Sequence, residues 1–231
     1  MTSSWRPSLS GLALLAGTLL LATAGLRHPM LEGDGAAQLA LIGATPAWRI
    51  VHLTLLLGIA LVVAGLSGVA GRYVAGPGGQ PARAALVLAV LGYGALAVNV
   101  AFMTGAGAAL ADAYARSDPG LTATEAVFVF DMLHPFGLVV QRFGAFVVGL
   151  STCALGWTVV NGGVFPRWLG WVGVAAGALG AVAALGWNEN ARQVLAGVVL
   201  ATVWQAALAV LLLRARTPGA PFPRPPGVTG S

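Results

Sequence analysis

The stretch IVHLTLLLGIALVVAGLSGVA, residues 50–70, runs for 21 residues with His52 as its one ionisable side chain. A helix that crosses the ~30 Å hydrocarbon core needs about 20 mostly apolar residues, because every backbone polar group there must be bonded within the segment. The stretch therefore reads as a membrane span. Five more segments meet the same test: Leu9 to Leu26, Ala84 to Leu110, Val139 to Val160, Trp168 to Trp187 and Val194 to Leu213. The expected fold is all-α, a polytopic transmembrane bundle of six helices over residues 1–216, followed by a disordered Pro/Gly-rich tail at 217–231.

Composition excludes several other classes. Of 231 residues, 58% are apolar and 8% charged, against roughly a quarter charged in soluble domains. Neither a water-soluble globule nor a disordered chain has that balance. All 12 basic residues are Arg. Without Lys there is no Schiff base, so a retinal-type pigment is excluded. The Arg residues are scattered between apolar stretches, which excludes a nucleic-acid partner. Cys153 is the single cysteine, so there is neither an internal disulfide nor a CxxC redox pair.

With six spans both ends fall on one side. Arg6, Arg72, Arg83, Arg167, Arg214, Arg216 and Arg224 lie on that side, and Arg27, Arg49, Arg116, Arg142 and Arg192 lie on or towards the other. All seven acids (Glu32, Asp34, Asp112, Asp118, Glu125, Asp131 and Glu189) map to the second side, as do His28, His52 and His134. The positive-inside bias places both termini in the cytoplasm and the acid-and-His face outside, in a bacterial cytoplasmic (inner) membrane. Arg6, an apolar run and Ala22-Thr23-Ala24 also resemble a secretory signal. The segment is read here as an uncleaved first helix.

The connections differ in kind. Gly71 to Arg83, with Gly76-Pro77-Gly78-Gly79, reads as a flexible loop, and Val160 to Arg167 as a tight turn. His28 to Arg49 contains an apolar patch, Ala36 to Ile42, expected to form a short interfacial helix; Ala111 to Val140 holds a second candidate. The helical pattern from Leu121 to Val160 would extend about 60 Å, twice the hydrocarbon thickness. Its first part is expected to kink, project or lie in the interface, with Pro135 as the place of change.

At helical spacing Asp131, His134, Leu138, Gln141 and Arg142 share one face, as do Trp48, Arg49 and His52. Such polar stripes belong inside the bundle or against a hydrated cavity, since charge facing lipid is costly. The candidate catalytic residues are Asp131, His134 and His52. The candidate ligand pocket is built from Trp48, Arg49, Asp112, Gln141, Arg142 and Glu189. His28, His52 and His134 are candidate metal ligands, because neutral imidazole with carboxylate suits Zn, Mn or non-haem Fe. A bis-His haem between the second and fourth spans is a further reading. Against these stands interfacial or capping duty for each residue taken singly, with Arg142 as an internal ion-pair partner of Asp112, Asp131 or Glu189. Asn99 and Gln205 read as interhelical hydrogen-bonding residues, and the Gly170, Gly173, Gly177, Gly180 stripe as close packing within the bundle.

The run from Arg142 through Ala181, containing Gly163-Val164-Phe165-Pro166-Arg167-Trp168-Leu169-Gly170-Trp171, resembles uncharacterised bacterial multi-helix integral membrane proteins. In those a Pro-Arg-x-Leu-Gly turn joins two late helices. The resemblance implies a six-helix bundle and carries no activity.

Three function classes follow. The first is a non-catalytic sensor or accessory protein with an outer-side polar pocket for a small molecule, lipid or partner subunit. The second is an intramembrane enzyme acting on a lipid or isoprenoid, with the His and carboxylate groups as metal ligands or as general acid and base. The third is a transporter. Expected partners are membrane lipids, a small-molecule or lipid ligand, and a second copy or larger membrane complex.

Overall fold

The computed structural model describes residues 8–74, 76, 78–116, 120–186 and 192–214. Asp118, Trp187, Glu189 and the 217–231 tail lie outside these described residues, as does Arg6. Among the described residues there are eight α-helices and no strand: α1 Leu9–Arg27, α2 Gly35–Gly43, α3 Trp48–Gly71, α4 Gly79–Phe102, α5 Ala108–Arg116, α6 Ala123–Gly162, α7 Arg167–Leu185 and α8 Arg192–Arg214. A π-helical turn, Met103–Gly107, joins α4 to α5 without a break in the helix. Six helical segments are long and apolar enough to cross a membrane.

The helix ends follow local chemistry. Ser8 and Asp34 accept from backbone amides at the starts of α1 and α2. Thr122 and Glu125 form a reciprocal capping box at the start of α6, which satisfies two amides that have no partner inside the helix. Gly163 turns the chain at φ +67, a backbone state glycine enters without steric cost, and Pro166 precedes α7. The tight turn expected at 160–167 is thus formed.

One boundary differs from expectation. The loop at 71–83 is shorter, because α4 starts at Gly79 and takes in Pro81 and Arg83. Pro81 is tolerated there because the amides of a first turn have no helical acceptor. The apolar segment placed at Val139 to Val160 is the second part of α6, which starts at Ala123 and passes Pro135 as one helix of 40 residues, the length expected of the 121–160 pattern. Pro135 withholds an N–H from the Asp131 carbonyl, yet α6 packs on α2 and α5 before that point and along α4. Tertiary packing holds the helix through the defect.

The spanning helices pack in chain order, α1 on α3, α3 on α4, α4 on α6, α6 on α7 and α7 on α8, and α8 closes the ring on α1. Lipid tails offer no hydrophobic drive for helix association, so backbones must approach closely enough for dense van der Waals contact. Glycine makes that approach. A Cβ on Gly92 in α4 would lie 2.7 Å from the Val148 amide nitrogen of α6, and one on Gly156 in α6 would lie 2.7 Å from the Gly170 carbonyl oxygen of α7. Gly177 abuts the Cys153 backbone, and Gly173 faces the Trp204 ring. The glycine stripe of α7 therefore serves α6 and α8 inside the bundle.

The ring is filled. Leu14, Val62, Leu66, Tyr93, Val148, Leu208 and Leu212 belong to one buried cluster. Three hydrogen bonds tie helices across it: Tyr93 donates to Gln205 Oε1 at 2.9 Å, Trp204 Nε1 to the Leu169 carbonyl at 2.8 Å, and Ser151 to the Ala85 carbonyl at 2.7 Å. A second cluster, with Leu39, Ile42, Trp48, Met103, Leu110, Ala126 and Phe130, lies at the end remote from the termini. There α2, α5 and the first part of α6 form a cap. The interfacial helix expected at 36–42 is α2, and the first part of α6 contributes to that cap.

Gly92→Val should cost about 1–3 kcal/mol by overpacking against backbone, whereas Gly94→Ala, with open space around its Cβ position, should leave stability near the wild-type value. Thermal or denaturant unfolding in detergent compares the two.

Candidate functional site

The end carrying the cap also holds His28, His52, Asp112, Asp131 and His134. Its centre is Trp48, in the first turn of α3 and 3% exposed. The Trp48 indole Nε1 donates to the Met103 carbonyl at 2.9 Å. That carbonyl belongs to the π turn, where widening of the helix leaves backbone groups in need of other partners. One turn along α3, His52 is 1% exposed and donates from Nδ1 to the Trp48 carbonyl at 2.8 Å.

His28 follows the last residue of α1 and reaches back to α3. Its Nε2 lies 3.2 Å from His52 Nε2. The Trp48 ring is 4.3 Å from the His52 ring and 5.3 Å from that of His28, centre to centre. Burial pushes the His28 imidazole below its ordinary pKa of 6.5.

The other candidates go elsewhere. His134 stacks on Phe130 of its own helix at 4.7 Å. Asp131, on the outside of α6, presses its carboxylate against Gly35 in the first turn of α2. A negative charge is favourable beside the amides of a helix start. Gln141 accepts at Oε1 from Asn99 Nδ2 at 3.0 Å, joining α6 to α4. Asn99 and Gln205 are thus both interhelical hydrogen-bonding residues. Arg142 sits half-buried one residue on from Gln141.

Asp112, on α5, accepts from Arg49 at 3.2 Å and pairs with Arg116 at 3.3 Å. The Arg49 and Asp112 side chains are 61% and 47% exposed, so the pair fixes geometry more than it adds stability. Both line a cleft of about 190 Å³ between α2, α3 and α5, with Ile42, Gly43, Thr45, Pro46, Trp48, Ala108 and Ala111 as its other walls. Trp48, Arg49 and Asp112 of the expected pocket meet here. Gln141 and Arg142 do not line this cleft, and Glu189 lies outside the described residues.

The expected three-histidine set divides. His28 and His52 meet, while His134 stays with Phe130, and among the described residues no group of three His, Cys, Asp or Glu side chains could hold a metal. A bis-imidazole haem on His52 and His134 does not fit either, since the His52 Nε2 that would ligate iron faces His28. Sequence reasoning places the histidines in one layer but misses the direct His28–His52 contact and the π turn. The four-residue step from Trp48 to His52 and the two glycines in Met103–Gly107 are the available signals.

Residues 9–215 match the family described as Domain of unknown function (DUF4386). The chain belongs to that family. The DUF4386 match extends far beyond the forty residues around the Pro-Arg-x-Leu-Gly turn and takes in all eight helices. Comparison with curated proteins and with solved structures gives no significant match.

Trp48→Phe keeps the ring but removes the donor to Met103, leaving a buried carbonyl unpaired at a cost of about 1–3 kcal/mol. Faster amide hydrogen exchange over residues 103–108, with little change in the terminal half of α4, is the expected readout.

Proposed function

We propose that this chain is a non-catalytic binding protein of the bacterial cytoplasmic membrane, with both termini in the cytoplasm and a ligand cleft on the outer face. The observation that carries the reading is the cleft between α2, α3 and α5, where an apolar floor of Ile42, Trp48, Ala108 and Ala111 lies beneath a mouth bearing Arg49 and Asp112. An apolar base under a guanidinium and a carboxylate has the amphiphilic character of a lipid headgroup region. Arg49 suits a phosphate, which a guanidinium can grip with two parallel hydrogen bonds. Asp112 suits an ammonium. At about 190 Å³ the cleft is below the volume of ordinary drug-sized sites, so the fitting ligand is a zwitterionic headgroup or a comparably small amphiphile.

The Arg distribution supports the orientation, with Arg72, Arg83 and Arg167 at the end of the bundle that bears the termini. The first cleft wall, α2, is anchored at its start by Asp34 and by the Asp131 carboxylate, so the walls are set before a ligand arrives. Such pre-organisation limits the entropy lost on binding.

Arg49→Ala and Asp112→Ala should each lower co-purified phosphatidylethanolamine several-fold, measured by native mass spectrometry of detergent-released protein. Arg83→Ala, at the far end of the bundle, should not. Equal retention in all three variants would remove the cleft from consideration.

A further inference from the structure

α6 is longer than the bilayer it crosses. α1 and α7 have 19 residues each and α6 has 40, against the ~20 that span ~30 Å of hydrocarbon. The surplus lies at the cap end. Gly170, in the first turn of α7, abuts Val160 of α6, and Ala184, next to the last residue of α7, packs with Ala145. α7 therefore accompanies the second part of α6. Counted from Val160, ~30 Å of hydrocarbon ends near Val140, and residues 123–139 stand about 25 Å beyond it. Packing along α4 and α7 ties the inclination of α6 to that of the bundle, and an ordinary span tilt of about 20° shortens the projection by only about a twentieth.

The projection carries an apolar face. Phe128, Met132 and Phe136 are each about two-thirds exposed, and Leu133 beside them is 43% exposed. Phe128, Met132, Phe136, Val139 and Phe143 follow one another at helical steps of four, four, three and four residues and form one straight stripe, which Leu150 and Trp157 continue along the span. The lipid-facing side of the span thus runs on, without a charge, past the hydrocarbon. Ala126 and Phe130 face the other way, into the cap. The carboxylates of the projection are engaged elsewhere, Glu125 with Thr122 in the capping box and Asp131 with the start of α2. Outside hydrocarbon, a contiguous apolar surface of this size marks an interface.

We propose that the chain pairs with a second copy of itself through this stripe, the two α6 helices lying side by side about a two-fold axis along the membrane normal. Insertion in one bilayer holds both copies parallel, so such an axis sets Phe128, Met132 and Phe136 against their counterparts. A stripe without charge does not repel its own copy. At roughly 150–200 Å² for a large apolar side chain, Phe128, Met132, Leu133, Phe136, Val139 and Phe143 expose on the order of 600 Å² per copy, which reaches the about 600–1,000 Å² that each side of a stable interface contributes. Confinement to one bilayer in one orientation lowers the rotational cost that the contact must offset. Phe and Met are also types enriched at interface cores. The stripe faces away from the cleft between α2, α3 and α5, so pairing and ligand binding stand or fail independently.

The test uses the full chain in lipid nanodiscs supplied in excess over protein, so that two copies share a disc where they are paired. Native mass spectrometry of the discs should find the wild-type chain as two copies. Phe128→Ser, Met132→Ser and Phe136→Ser combined, all at exposed positions, should lower the paired fraction at least tenfold. In membranes, with Cys153→Ala as background, a short bismaleimide should join Met132→Cys and Phe136→Cys into dimers at least tenfold more than Ala40→Cys, which lies exposed on α2. A wild-type chain found singly in the discs overturns the proposal and leaves the stripe to lipid. Pairing unchanged by the triple substitution, or equal cross-linking at Ala40→Cys, overturns it as well. Each cysteine variant keeps the rest of the stripe, so the contact is mapped even where the triple variant does not fold.

Discussion

Close backbone approach at glycine is the constraint on which the rest of the molecule depends. In water a helix pair is driven together by expulsion of solvent from apolar faces, but in a bilayer the competing environment is equally apolar. What remains is dispersion, which falls off steeply once surfaces separate. Gly17, Gly65, Gly92, Gly144, Gly149, Gly156, Gly170 and Gly177 remove side chains where α1 meets α3, α4 meets α6 and α6 meets α7. The larger groups, Leu14, Tyr93, Leu208 and Leu212, then fill the centre of the ring. Tyr93, Ser151 and Trp204 each bond to another helix, while the buried Thr18, Thr152, Thr158 and Thr202 hydroxyls donate to carbonyls of their own helices.

At the cap the organising group is Trp48. Its ring belongs to the cap cluster, its indole N–H satisfies the π turn, and its carbonyl orients His52. One residue therefore couples the entry to α3, the irregular joint between α4 and α5, and the imidazole pair. The charged groups surround this centre without entering it. Arg49, Asp112 and Arg116 pair at the surface, and Asp131 faces the start of α2. Charge thus stays where water can reach it, and the buried interior is bridged by neutral donors and acceptors, as the cost of burying an ion requires.

Much of this is legible in the sequence because the bilayer imposes a length. Segments such as residues 50–70 have one interpretation, and the 40-residue period ending near Val160 cannot be fitted within one membrane thickness. Helical spacing and depth put Trp48, Arg49 and Asp112 at one level, but equally Gln141, Arg142 and Glu189, of which the first two do not line the cleft and Glu189 lies outside the described residues. The differences lie where a local signal is overruled by packing. Pro135 marks a place of change in the sequence, and α6 continues through it with other helices packed on both of its sides. The glycines near 76–79 signal a loop, but α4 starts among them. Convergence of the histidines is the hardest feature to foresee. Depth along a helix is set by sequence, whereas rotation about its axis is set by neighbours, and that rotation brings His28 to His52 and leaves His134 on Phe130.

The unbroken course of α6 has a mechanical consequence. At 1.5 Å per residue its 40 residues make a rod of about 60 Å, touching the cap at one end and the turn into α7 at the other. Pivoted near its middle, such a rod swings each tip by about 2.6 Å for every 5° of tilt. Where α6 tilts as one body, its cap-side tip and its α7-side tip therefore move in opposite directions.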